Sequence, residues 1–151
     1  MQKEFIKKQK DFYFVWSHMN QIYARWADFY EINYNTFMIF YGLYFYGNMT
    51  QKMMGKHYGL PKQTVNNIIK SMQKAGHVML ISSENDKREK LVALTQQGKN
   101  HIAPMLNPLC ELEQQTMQMV GYEQVEQMLK IGNLFNTIFE MKMEEKINEQ
   151  I

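Results

Sequence analysis

The stretch Thr50-Gln-Lys-Met-Met-Gly55-Lys-His-Tyr-Gly-Leu60-Pro-Lys-Gln-Thr-Val65-Asn-Asn-Ile-Ile-Lys70-Ser-Met-Gln-Lys-Ala-Gly76 decides how this chain is read. Thr50 suits a helix N-cap, because its hydroxyl can accept from an amide that the first turn leaves unpaired. Met53, Met54 and Tyr58 give the next helix an inward face, and Gly55 admits a crossing helix closely. Gly59 fits a chain reversal and Pro61 the opening of the second helix. There Val65, Ile68, Ile69 and Met72 recur at i, i+3, i+4 and i+7 and form one apolar stripe. A turn of about 100° per residue sets Gln63, Asn66, Asn67, Lys70 and Lys74 on the other side.

That second face is rich in amides and cations. Asn and Gln can both donate to and accept from a base edge, while Lys neutralises phosphate. Taken alone, the pattern is better read as an ordinary solvated helix surface, since Lys and Gln are common on any surface. The residues after Gly76 change the reading. His77-Val-Met-Leu-Ile-Ser82 and Leu91-Val-Ala-Leu-Thr95 are strand-like runs, separated by the charged, turn-prone Ser83-Glu-Asn-Asp-Lys-Arg-Glu-Lys90. Helix, tight turn, helix and two-stranded hairpin make a winged helix. The expected fold class is mainly α (an α+β winged helix), with a winged helix-turn-helix core.

Residues 50–98 resemble the winged-helix domain of the MarR family of bacterial transcription regulators. The likeness rests on Gly59-Leu60, Thr64-Val65, Met72 and Gly76-His-Val78. Its most specific part is Asp86-Lys-Arg88 followed by Leu94-Thr95-Gln-Gln-Gly98. The resemblance implies a homodimer that binds an inverted-repeat operator on double-stranded DNA, acting as a repressor. It implies that Thr50 meets DNA, as do Lys62, Gln63, Thr64, Asn66, Asn67, Lys70 and Lys74 of the recognition helix. In the wing, Asp86, Lys87, Arg88 and Lys90 would do so, with Arg88 in the minor groove and Asp86 orienting it. Two departures stand out: Met79, Leu80 and Ile81 are apolar where the family usually carries an Arg, and Asn67 stands where it often has one.

Composition agrees with a reading head of concentrated charge. The net charge is only +2, yet Lys56, Lys62, Lys70, Lys74, Lys87, Arg88 and Lys90 all fall inside this stretch. The 151 residues, 45% of them hydrophobic, are enough for one domain with its own core. The expectation is a single domain over 1–151, with a winged-helix core over about 34–98 and dimerisation helices over about 4–30 and 99–147. The single cysteine excludes an intrachain disulfide and fits a reducing compartment. No apolar run reaches about 18 residues, and Met1-Gln-Lys-Glu4 is not a signal peptide. A cytoplasmic protein without membrane contact is expected.

The flanks read as long amphipathic helices. Phe5, Phe12, Val15, Trp16, Met19, Ile22, Tyr23, Trp26, Phe29 and Tyr30 form an aromatic stripe wider than one small domain can cover, so its first half is assigned to a partner subunit. Asn33 or Asn35 caps a second helix to about Tyr46. Beyond Gly98 a third long helix contains Pro104 and Pro108 and is expected to bend or start late. Val125, Met128, Leu129, Gly132, Phe135, Ile138 and Phe139 trace a last stripe, ahead of a frayed polar tail over residues 144–151. The resemblance also implies a cleft for a small aromatic or lipophilic effector, lined by Trp16, Tyr23, Trp26, Tyr30, Tyr34, Phe37 and Tyr41; the competing reading of those residues is plain core.

Other chemistry finds little footing. His18, His57, His77 and His101 have no ligand spacing and no metal is expected. Cys110, between Leu109 and Leu112, reads as an inert thiol. No phosphate loop or nucleophile motif occurs, and neither a cofactor nor an enzyme activity is expected. The rival readings are a winged helix used only for protein–protein contact and an enzyme without a recognisable motif.

Overall fold

The computed structural model describes residues 2–83 and 88–150. They form α1 (Gln2–Phe29), α2 (Tyr34–Tyr46), β1 (Met49–Thr50), α3 (Gln51–Tyr58), α4 (Lys62–Lys74), β2 (Val78–Ser82), β3 (Lys90–Leu94), α5 (Gln96–Val120) and α6 (Tyr122–Asn148). The fold class is the expected one, mainly helical with a winged helix-turn-helix. The chain divides into two units, Met1–Leu106 and Asn107–Ile151.

The first unit holds the winged helix. Asn33 caps α2, its side chain accepting from the amides of Asn35 and Thr36. Phe37, Ile39, Phe40 and Leu43 of α2 are buried together with Met54 of α3 and Val65, Ile69 and Met72 of α4. Val92 of β3 and Ile102 and Leu106 of α5 are also fully buried. Each such side chain contributes about 1.5–3 kcal/mol by leaving water. Of the expected inward face of α3, Met54 is buried but Met53 is 51% exposed.

The sheet has three strands rather than two, in the order β1-β3-β2, all antiparallel. Val78 pairs with Leu94, Leu80 with Val92 and Ser82 with Lys90 across the wing. The added strand, β1, pairs Met49 with Val92 and Thr50 with Leu91. Two residues are too few to display an alternation, so nothing in the sequence announced it.

The Leu94-Thr95-Gln-Gln-Gly98 motif is a structural joint. The Thr95 hydroxyl donates to the Gly76 carbonyl at 2.6 Å and accepts from the Gly98 amide at 2.9 Å, while the Thr95 amide donates to the His77 carbonyl at 3.0 Å. Gly98 lies so close to that carbonyl that a Cβ would collide with it. The threonine therefore caps α5 and fastens it to the foot of β2, and only glycine fits against that backbone.

Helix α5 starts at Gln96, so it does not start late despite its two prolines. Pro108 has no N–H, which leaves the Pro104 carbonyl without its usual donor four residues on. Tyr30 of α1 fills that place, its hydroxyl donating to the Pro104 carbonyl at 3.0 Å. The Trp26 indole N–H donates to the neighbouring Met105 carbonyl at 3.0 Å.

In the second unit, α6 continues to Asn148, past the residue where fraying was expected. The pairs Lys142–Glu145 (2.7 Å) and Lys146–Glu149 (2.8 Å) lie along that last stretch. No residue of α6 is buried. No described helix is long and apolar enough to cross a membrane.

Candidate nucleic-acid interface

The geometry of the reading head comes from α3, the turn and α4. The Thr50 hydroxyl accepts from the Met53 amide at 3.0 Å and caps α3 as expected. Gly59 ends that helix in the left-handed region, at φ 63°, and the Leu60 amide returns to the Gly55 carbonyl at 3.0 Å. Gly55 matters less for a crossing helix than for this turn, because a Cβ there would press on the Leu60 carbonyl. Pro61 then opens α4 with no side-chain cap.

On α4 the buried Val65, Ile69 and Met72 face the core, and Gln63, Asn67, Lys70 and Lys74 are exposed. Those four recur at intervals of four, three and four, so they form one outward stripe. At its head the Gln63 side-chain N–H donates to the Asn67 carbonyl oxygen at 2.9 Å. Thr64 and Asn66 are half-buried on its flank, and Lys62 is exposed at the start of the helix. Lys62 also lines a depression of about 400 Å³ with Gln51, Lys52, Gly55, Lys56 and Leu60. The sequence reading did not single out Lys52; its place beside Lys56 and Lys62 emerges only once the turn folds α3 back toward α4.

Thr50 is corrected. It is only 5% exposed and its hydroxyl is engaged in the cap, so it is part of the fold rather than of the outward stripe. In the wing, Arg88 and Lys90 are exposed, and the Lys90 ammonium donates to the Ser82 hydroxyl at 2.9 Å. Asp86 and Lys87 lie outside the described residues. Met79 and Leu80 are exposed on β2, at 48% and 41%.

Several of the seven aromatic residues assigned to an effector cleft pack against one another. Phe37 is fully buried core, a correction to its role as a lining residue. Tyr41 meets Tyr23 edge-on, ring centroids 6.0 Å apart, and lies 6.3 Å from Phe37. Trp26 and Tyr30 pack together at 5.4 Å with their polar atoms turned to the α5 backbone. Burial raises the Tyr34 phenol above its ordinary pKa. Trp16 is 56% exposed. A depression of about 430 Å³ on α1 is lined by Ile22, Arg25, Trp26 and Phe29, and so takes in only Trp26 of the seven.

Two histidines do come together. The rings of His77 and His101 stack at 4.0 Å, each 5.8 Å from Phe40. Burial, and then the neighbouring His101, lower the His77 pKa below its ordinary value. No group of three or more metal-ligating side chains occurs among the described residues. Burial, aided by Glu113 and Glu111, raises the Cys110 thiol, which disfavours the reactive thiolate.

A model of the MarR family matches residues 30–89, which run from the end of α1 into the wing. No curated protein matches the chain in sequence. Among solved structures, a MarR family regulator from Neisseria meningitidis superposes with a TM-score of 0.80 at 24% identity, covering 92% of this chain and 98% of its own. MepR of S. aureus, in its DNA-binding conformation, gives 0.69 at 20% identity, over 89% of this chain and 98% of that one. The transcriptional regulator BldR of Sulfolobus solfataricus gives 0.64 at 16% identity, over 89% and 95%. Residues 30–89 thus match a model of the MarR family, and over 92% of its length the chain shares the fold of a MarR family regulator.

Proposed function

We propose that this protein is a transcription regulator that binds an inverted-repeat operator as a homodimer and represses. The observation that carries the reading is the outward stripe of α4: Gln63, Asn67, Lys70 and Lys74 are exposed on the helix that this fold offers to a major groove. Amides supply base-edge donors and acceptors, and the two ammonium groups supply phosphate contacts. The solved structures of similar fold support it, since one is MepR in a DNA-binding conformation and another is a MepR variant bound to an oligodeoxyribonucleotide. Arg88 and Lys90 of the wing reach the flanking groove. Two copies about a two-fold axis read half-sites about one helical turn apart. The protein works in the cytoplasm, and a small aromatic or lipophilic effector releases it.

Selection of bound DNA from a random pool is the direct test. One inverted repeat should be enriched and should retard more strongly than random DNA at the same salt. Lys70→Ala and Lys74→Ala should weaken the selected site and random DNA alike, and each should lower the salt slope by about one. Equal retardation of every sequence, or none, would leave the winged helix as a protein-contact module.

A further inference from the structure

We infer that Gln63 and Asn67 act as one reading unit, selecting an adenine in each half-site; the inference rests on the DNA-binding reading above. The two side chains are one turn apart on α4 and hydrogen-bonded, Gln63 Nε2 donating to Asn67 Oδ1 at 2.9 Å. Both are exposed, while Val65, Ile69 and Met72 fix the opposite side of the helix in the core. The bond leaves the Gln63 carbonyl oxygen as an acceptor, and the second Gln63 N–H and both Asn67 N–H groups as donors. Turning the two amides over exchanges the roles but keeps the pattern, one free acceptor beside free donors.

Only one base edge in the major groove complements that pattern. Adenine presents the N6 amino donor beside the N7 acceptor. Guanine presents two acceptors there, thymine an acceptor and a methyl group, and cytosine an amino donor. A pair offering an acceptor and a donor side by side therefore satisfies both of its groups on adenine and leaves one unpaired on any other base. A free Gln or Asn side chain loses rotamer freedom when it binds; here each restrains the other beforehand, so less is lost at the interface. The consequence is coupling: removing either amide both deletes half of the pattern and frees the other half.

The test is operator selection and titration with the wild-type chain, Gln63→Ala, Asn67→Ala and the double variant. Thermal melting serves as the control for folding, since both residues are exposed. The wild type should require adenine at one position of the half-site. Each single variant should lose at least tenfold of that preference, at the same base pair, and the double variant should lose no more than about twofold beyond either. Replacing that adenine by purine, which lacks the amino group, or by 7-deazaadenine, which lacks the acceptor, should weaken the wild type and leave both single variants unaffected. Losses that fall on two different base pairs, losses that add, or a preference for another base would overturn the reading unit while leaving operator binding intact. Failure of the wild type to enrich any sequence would instead overturn the DNA-binding reading, and this inference with it.

Discussion

At the residue scale, much of the fold is carried by single groups whose role depends on one neighbour. Gly42 of α2 receives the Tyr58 side chain of α3 so closely that a Cβ would meet the phenol oxygen. That hydroxyl is buried with no hydrogen-bond partner among the described residues. Burial, and then Tyr46, push its pKa up to about 12. A buried donor without a partner costs about 1–3 kcal/mol, so Tyr58→Phe should leave stability unchanged or raise it by about 1 kcal/mol in chemical denaturation. His77 carries the opposite kind of sensitivity. Its folded pKa is lowered, so the folded chain takes up that proton less readily than the unfolded chain. The contribution is full above about pH 6.5 and declines as pH falls through that value toward the lower folded one. Melting temperatures followed from pH 7.5 down to pH 5 should fall less steeply in His77→Gln. In His101→Gln they should keep an intermediate slope, because burial is the larger cause and remains. The caps and the turn glycine were legible in the sequence, since Thr50, Asn33 and Gly59 have local roles. The Tyr58–Gly42 contact and the His77–His101 stack were not, because each joins distant segments with no spacing rule between them.

At the scale of elements, α1, α4 and α6 were legible because each has a periodic apolar stripe, and the recognition helix emerged with its expected bounds, Lys62–Lys74. What periodicity could not convey is how α5 tolerates Pro108. A donor borrowed from another helix answers that, the Tyr30 hydroxyl donating to the Pro104 carbonyl that Pro108 leaves unserved. A double-mutant cycle checks it. Tyr30→Phe should cost about 0.5–1.5 kcal/mol in the natural chain. In a Pro108→Ala background, where an amide returns to serve the Pro104 carbonyl, the same change should cost nearly nothing. Equal costs in both backgrounds would refute the substitution of one donor for the other. The same reasoning recasts two of the supposed effector residues: their polar ends are already spoken for within the fold.

At the scale of the whole molecule, the sequence carried the excess of apolar surface but not its boundaries. Phe5, Tyr13, Phe14 and Trp16 of α1 are more than half exposed, and so are Leu129, Leu134 and Phe139 of α6. Exposed apolar side chains of this kind along a long helix mark an interaction site. As part of the proposed function, it is assigned to a second copy of the chain. Sedimentation at micromolar concentration should give twice the chain mass. Replacing Leu134 and Phe139 by Glu should yield a monomer whose residues 2–106 remain folded by circular dichroism. A stable wild-type monomer at that concentration would remove the dimer from the proposal. The division of the chain near Leu106 was not read from the sequence: Pro104 and Pro108 flank it and suggested a bend, but α5 runs through both as one helix.

The joint at the foot of the wing has a mechanical consequence. The Thr95 amide and hydroxyl both reach the His77 carbonyl, and Gly98 rests directly on it. Strand and helix are thus welded at a corner rather than hung on a pivot. A displacement of the foot of β2 is therefore passed to the first turn of α5, and a push on that turn is passed back to the strand.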